Sequence, residues 1–292
     1  MNPVISFVVG DLAIHTTSYR LFMVMGVLAT VGLGYAVAIC RGLQGHRVAL
    51  CLLAITVAFP LGARLFDAVT KLGYYLEKPA RLLSLDLGGF SMWGGLILAA
   101  AVGVMACRLL ALNLPRMADS AMPGLGIGIA LMRMGCFMAG CCFGKETDLP
   151  WGVTFPPGSD AHIHQLLADG SIIFGGDPRP VHPTQLYESV AALLAVAFVF
   201  WLFKRAAPDG IAFLSCACWY SAFRLFNHYL RVPGGELTVP GWFYPVLYSL
   251  VLMVAGGALI WRTFRHRSSP NLRGGRPARL SAAATSITQQ QL

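Results

Sequence analysis

The sequence predicts an all-α polytopic membrane protein, a bundle of seven transmembrane helices with an extracytoplasmic loop region around residues 145–183. Three observations predict it. The 292 residues are 56% hydrophobic and 12% charged, against about 25% charged in ordinary soluble domains. Seven uncharged or nearly uncharged stretches are long enough to cross a bilayer. Basic residues gather on alternate connections between them.

The spans are taken in order. Leu21–Cys40 is the first, followed by Arg41 and Arg47. Val48–Ala63 is the second and ends at Arg64. Leu87–Cys107 is the third, closed by Arg108 and Arg116. Ser120–Gly144 is the fourth and contains Arg133. Thr184–Phe203 is the fifth, closed by Lys204 and Arg205. Gly210–Leu230 is the sixth, with Arg224 inside it, and Leu237–Trp261 is the seventh. Six arginines from Arg262 to Arg279 follow without an acid among them. The positive-inside rule places the four basic clusters in the cytoplasm, so the N-terminus lies outside and the C-terminus inside. Residues 1–266 then form one domain, and 267–292 form a basic and then disordered cytoplasmic tail. The first residues, Met1 to Phe7, lack a basic n-region, so no cleavable signal peptide is expected. The arginine tail suits anionic lipid rather than nucleic acid.

The chain is organised around Leu131-Met-Arg-Met-Gly-Cys-Phe-Met-Ala-Gly-Cys-Cys-Phe-Gly144. A charge at the centre of a membrane helix costs about 2.5–3.5 kcal/mol on insertion scales, so a retained Arg133 calls for a partner. Arg64, Arg133 and Arg224 each sit in or beside a different span. They either snorkel to the interface or converge on one anion near the outer leaflet, a phospholipid phosphate held by guanidinium forks. Asp67 and Glu188 are the alternative, internal salt partners. At the start of the fifth span, Thr184 is a natural N-cap, and Gln185 and Glu188 share a face. Glu188 or His182 is then either part of a well-capped helix, a proton acceptor or a residue that orients an arginine. His162 and His164 lack a zinc-site spacing, and no metal or cofactor is expected.

These residues resemble the bacterial prolipoprotein diacylglyceryl transferases. Arg133, Gly135, Phe137 and Gly140 fall in step with the family signature. Asp148-Leu-Pro-Trp-Gly-Val-Thr-Phe-Pro156 is similar to its next segment, and His182-Pro-Thr-Gln-Leu-Tyr-Glu188 to its His-Pro-Ser/Thr-Gln-Leu-Tyr-Glu motif. Tyr220-Ser-Ala-Phe-Arg224, Gly62-Ala-Arg64, Gly88-Gly-Phe-Ser-Met-Trp-Gly-Gly95 and Tyr19 also align. The resemblance implies transfer of the diacylglyceryl group of phosphatidylglycerol to the thiol of a lipobox cysteine in an exported prolipoprotein, releasing glycerol phosphate, by a monomer in the bacterial inner membrane. It implies catalytic roles among Arg133, Arg224, Glu188, His182 and Cys141. It implies lipid binding by Arg133, Arg64, Arg224, Tyr19, Tyr220 and Cys136.

The departures from the family pattern are specific. Trp93 stands where the family has a histidine, Cys136 and Ala139 where it has asparagines, Cys141 where it has a glutamate, and Arg20 where it has a glycine. They open two other readings: a divergent paralogue with another acceptor, or a non-catalytic lipid-binding or thiol-redox membrane protein. Cys136, Cys141 and Cys142 are correspondingly small packing residues, a disulfide on the oxidising side, or a working thiolate beside a guanidinium.

Overall fold

The computed structural model describes residues 4–9, 12–77, 80, 92–170, 176–232 and 242–267. An antiparallel hairpin comes first, β1 (Val4–Val9) paired with β2 (Leu12–Thr17), in register Val4 opposite Thr17. Seven long helices follow: α1 (Ser18–Cys40), α2 (Gly45–Thr70), α4 (Met92–Leu109), α5 (Leu114–Ala139), α7 (Thr184–Lys204), α8 (Ile211–Leu230) and α9 (Phe243–Arg267). Two short helices, α3 (Leu72–Glu77) and α6 (Asp160–Ala168), complete the described elements. The chain is therefore an all-α, multi-pass membrane protein. Six of the described helices are long and apolar enough to cross a membrane. The seventh, α8, carries Arg224, Asn227 and His228 within its last two turns.

Several helix limits differ from the sequence expectation, each for a local reason. Helix α1 starts three residues early because the Thr17 hydroxyl accepts from Arg20 N at 3.3 Å. Helix α2 does not stop at Arg64 but runs to Thr70, so Arg64 is a buried, mid-helix residue. The connection expected over 67–86 thus begins as helix. Helix α5 starts at Leu114, with Asn113 Oδ1 accepting from Arg116 N at 3.1 Å and Pro115 in its first turn. It ends at Ala139, not at Gly144: Gly140 adopts φ 75, the left-handed conformation glycine takes most readily. Cys141, Cys142, Phe143 and Gly144 therefore lie beyond the span. Thr184 is the first residue of α7 rather than its cap; Pro183 holds the cap position, and the Thr184 hydroxyl donates to Cys142 O at 2.9 Å. The expected starts of the third and seventh spans, 87–91 and 237–241, and the expected tail beyond Arg267 lie outside the described residues.

Small residues set the helix spacing. A Cβ on Gly128 of α5 would lie 2.0 Å from Thr30 Oγ1 and 2.8 Å from Gly26 O of α1. In lipid, where apolar faces gain nothing by leaving solvent, such close backbone approach is what holds helices together. Gly62 of α2 and Gly94 of α4 meet in the same way. At one end of the bundle, Asp119 of α5 accepts from Gly210 N at 2.6 Å and Phe213 N at 2.8 Å, capping α8 from a neighbouring helix. Arg41 and Arg116 both pair with Asp209 there, at 2.8 and 2.9 Å.

The segment between α5 and α7 folds over the opposite end. Gly144 N donates to His182 O, Lys145 N to Leu230 O, and Val153 N to Val181 O. Phe143, Phe155, Ala161 and Val181 are buried together beneath it. His162 is a structural member of this head: Nδ1 accepts from Gly158 N at 3.1 Å and Nε2 donates to Gly176 O at 2.7 Å.

Gly128→Val should overpack the α1–α5 seam and cost about 1–3 kcal/mol. The expected readout is a lowered midpoint in thermal unfolding of the detergent-solubilised protein. An unchanged midpoint would mean that this seam does not hold the bundle.

Candidate functional site

The antiparallel run of helices decides which residues share a level in the bundle. Arg133 lies six residues before the end of α5, Glu188 four residues after the start of α7, and Arg224 six residues before the end of α8. At about 1.5 Å per residue, all three lie within two turns of the end covered by the 140–183 head. Asp119 is fourteen residues before Arg133 on α5, about 21 Å away toward the other end.

The three side chains meet. Arg133 Nε is 2.6 Å from Glu188 Oε2, an ion pair whose N–H does not point along the hydrogen-bond line. Arg224 Nη1 donates to Glu188 Oε1, and Asn227 Nδ2 donates to the same oxygen at 2.9 Å. Glu188 is 1% exposed and Arg133 6%. The arginines therefore do converge, and the group they share is an internal carboxylate. Two guanidinium groups on one carboxylate leave one net positive charge inside the bundle.

A second layer of residues fixes Arg224. Its Nε and Nη2 both donate to Tyr248 Oη of α9, at 3.1 and 2.9 Å. Tyr248 in turn packs against Trp93 of α4 with ring centroids 5.8 Å apart, and Trp93 stacks on Tyr244 at 6.3 Å. Trp93, which has no proton-accepting atom, is thus the aromatic wall behind the arginine's phenol partner. Tyr220 lies within electrostatic reach of Glu188, Arg224 and Arg133. The sequence reading missed Asn227 and Tyr248. Asn227 stands three residues after Arg224 on α8 and Tyr248 four after Tyr244 on α9, so same-face spacing was the available signal.

The remaining candidates fall in three places. Arg64 donates to Tyr75 Oη of α3 at 3.5 Å, and Tyr75 donates to Asp67 Oδ2 at 2.8 Å. Asp67 also pairs with Lys71 at 3.3 Å. His182 belongs to a surface chain of donors: Trp151 Nε1 donates to Tyr187 Oη at 2.9 Å, and Tyr187 Oη is 3.2 Å from His182 Nδ1. Tyr19, Cys136 and Cys141 gather at the mouth between α1 and the end of α5. A Cβ on Gly135 would lie 3.4 Å from Tyr19 Cα, and Tyr19 is within electrostatic reach of Arg133 and all three nearby cysteines.

All eight cysteines are free thiols. The sulfurs of Cys136, Cys141 and Cys142 lie within 4.8 Å of one another. Gln185 Nε2 donates to Cys141 O at 2.6 Å, so α7 clamps the turn that carries two of them. Cys141 Sγ donates to Cys136 O at 3.7 Å, and Cys142, outside the helix, has its thiol held low by the neighbouring Cys136 and Cys141 thiols, with Arg231 and Arg133 adding their charge. An apolar groove of about 340 Å³ runs along α7 and α8, lined by Leu186, Tyr187, Val190, Leu194, Trp219 and Phe223 among others.

The family model for prolipoprotein diacylglyceryl transferase matches residues 3–262. A phosphatidylglycerol–prolipoprotein diacylglyceryl transferase of Geobacter sulfurreducens is 31% identical over 229 residues, covering 75% of this chain and 79% of that protein. The protein of that name from Bacillus licheniformis is 30% identical over 270 residues, covering 91% of this chain and 94% of its own. That of Clostridium tetani is 28% identical over 234 residues, covering 79% and 86%.

Glu188→Gln should leave two buried guanidinium groups without their anion and cost about 3–5 kcal/mol. Combining it with Arg224→Met should cost less than the sum of the two single changes, because both remove the same interaction. Denaturant or thermal unfolding of the four proteins in detergent measures the coupling; strict additivity would mean the pair is not energetically linked.

Proposed function

The chain belongs to the prolipoprotein diacylglyceryl transferase family, and from that premise we propose that it moves the diacylglyceryl group of phosphatidylglycerol to the cysteine thiol of an exported prolipoprotein. The observation that carries the proposal is the meeting of Arg133 and Arg224 on Glu188, with one positive charge left over. A phosphodiester is the anion a lipid bilayer offers to such a site, and guanidinium forks match its oxygens.

The roles follow from the chemistry. The acceptor sulfur attacks the glyceryl carbon that bears the phosphate; the carbon–oxygen bond breaks, and glycerol phosphate leaves with the electron pair. Charge builds on the departing phosphate, where preplaced donors in a water-poor site stabilise it most. Arg133 and Arg224 are the proposed phosphate ligands. Glu188, with both oxygens engaged, is the positioning residue for both; Tyr248 and Asn227 complete that support. Tyr19, Tyr220, Arg64 and Cys136 are the proposed further contacts with the lipid head group. The apolar groove between α7 and α8 suits an acyl chain. His182 and Cys141 are the proposed proton-handling candidates near the acceptor's approach, His182 through the nitrogen that faces Tyr187.

The charge pattern supports a protein of the bacterial inner membrane with the site near the outer leaflet, the N-terminus outside and the C-terminus cytoplasmic. One transferase domain over residues 1–266 and a monomeric state are part of the same proposal. A specific observation favours a second reading: Trp93 and Cys141 change proton-handling positions of the family and Cys136 replaces a polar asparagine, while the anion-binding arginines stay. That pattern suits the same donor lipid with a different acceptor.

Membranes containing the protein, supplied with labelled phosphatidylglycerol and a lipobox peptide, should release glycerol phosphate and yield a thioether-linked diacylglyceryl peptide. Arg133→Ala should lower the rate by about 10²–10³, the usual effect of losing one transition-state donor. Phosphatidylglycerol consumed without peptide modification would select the second reading. A lipid left intact in the presence of folded protein would reject both.

A further inference from the structure

Three thiols stand together near Arg133, and the pairing of Arg133 and Arg224 on Glu188 does not use them. Cys136, Cys141 and Cys142 hold their sulfurs within 4.8 Å of one another. Tetrahedral coordination at about 2.3 Å per zinc–sulfur bond places sulfurs about 3.8 Å apart, so the three need to close by at most about an ångström. A disulfide would use two of them and strand the third.

The cluster is built rather than incidental. Gly140 turns the chain left-handed at the end of α5, and Cys142 adopts φ 62, also left-handed. For a residue with a side chain that conformation costs about 1–2 kcal/mol. Strain of this kind persists where surrounding structure enforces it. Here two fully buried side chains do so, Thr184 donating to Cys142 O and Gln185 to Cys141 O. The chain between Cys136 and Cys142 is thereby folded back so that all three sulfurs face one point. Cys136 is buried, while Cys141 and Cys142 are half-buried, which leaves one side of that point open.

We propose that Cys136, Cys141 and Cys142 form a three-thiolate site for a thiophilic d¹⁰ cation, Zn(II) or Cu(I), with a fourth position open to an incoming thiol. The role given to that position rests on the reading of the protein as a thiol-acceptor transferase. Soft thiolate ligands select these ions, and a three-ligand site with an open position is the form that reacting centres take. On loading, the three cysteines release their protons to solvent. Three thiolates on a divalent ion carry one negative charge, beside the one positive charge that Arg133 and Arg224 have in excess over Glu188. An acceptor thiol entering the fourth position also gives its proton to solvent, because a metal-bound thiol is deprotonated. Its sulfur then forms the carbon–sulfur bond as the carbon–oxygen bond to phosphate breaks, and the metal keeps its oxidation state throughout. The site thus supplies a nucleophilic thiolate in a chain where Trp93 can accept no proton.

The test uses the full-length protein, reduced and metal-free, in detergent. Zn(II) and Cu(I), in separate titrations, are the probes, with Co(II) as the spectroscopic stand-in. At least one of the two ions should bind at one equivalent, and Co(II) should show sulfur-to-metal charge-transfer absorption. Cys142→Ser and Cys136→Ser should each abolish that absorption, while Cys40→Ser, at an exposed cysteine on α1, should keep it; unfolding midpoints check that the variants are folded. A lipobox-type cysteine peptide should change the Co(II) spectrum and its serine analogue should not. No stoichiometric uptake by folded, reduced protein would overturn the site, as would a preparation two mass units light that retains one reactive thiol among the three. Uptake without a peptide effect would overturn the open position. The lipid-transfer reading is judged separately, by phosphatidylglycerol consumption: metal and peptide binding with no consumption would reject that reading and leave the site standing.

Discussion

One carboxylate between two guanidinium groups holds the working end of this bundle together. Glu188 is 1% exposed and takes Arg133 from α5 on one oxygen and Arg224 from α8 on the other. In a low-dielectric interior each of these charges alone would be costly. Together they tie three helices at one depth and leave a single positive charge. Three neighbouring side chains support the arrangement. Asn227 shares the Glu188 oxygen that Arg224 uses, Tyr248 takes two donors of Arg224, and Trp93 backs Tyr248.

The architecture explains how residues far apart in sequence reach one point. Helices that alternate in direction bring the end of α5, the start of α7 and the end of α8 to the same level. Gly126 of α5, where a Cβ would lie 3.2 Å from Ala192 O of α7, brings the backbones close enough for Arg133 and Glu188 to meet, while the seams at Gly128 and at Gly62–Gly94 join α1 to α5 and α2 to α4. The head over residues 140–183 is stitched to both α7 and α8 through His182 and Leu230. Ordering the head therefore also orders the turn that bears Cys141 and Cys142.

Much of this was legible in the sequence. Uncharged runs bounded by basic clusters located the helices, since both signals come from the bilayer itself. The intramembrane arginines marked the site for the same reason: a charge in a span is expensive enough to be informative. What stayed hidden depends on tertiary contact. Asp119 looked like one more acid near a helix start, and only the packing of α5 against Gly210 makes it the cap of α8. Arg64 looked like a span end because Arg64 and Asp67 are both charged, although the largely apolar residues around Asp67 carry the helix on to Thr70. The fourth span was drawn to Gly144 because Cys141, Cys142 and Phe143 are apolar; the left-handed turn at Gly140 is a backbone property that hydropathy does not register. Hairpin β1–β2 and helices α3 and α6 are too short to show against the long spans. Tyr248 was indistinguishable from Tyr244, the other tyrosine of α9, until its partner was known.

The two ends of the bundle use the same motif for different purposes. At the Asp119 end, Arg41 and Arg116 are paired with Asp209, and Arg41 also lies 3.6 Å from Asp119. Two cations there face two carboxylates, the ion-paired charges cancel, and Arg116 remains substantially exposed to solvent. That layer can be satisfied by the protein alone. At the Glu188 end the same pairing lacks its second carboxylate and is more deeply buried. Under the proposed function its charge is completed by the lipid phosphate. That reading depends on the excess charge at Glu188, because a neutral cluster would have no net attraction to offer a phosphate.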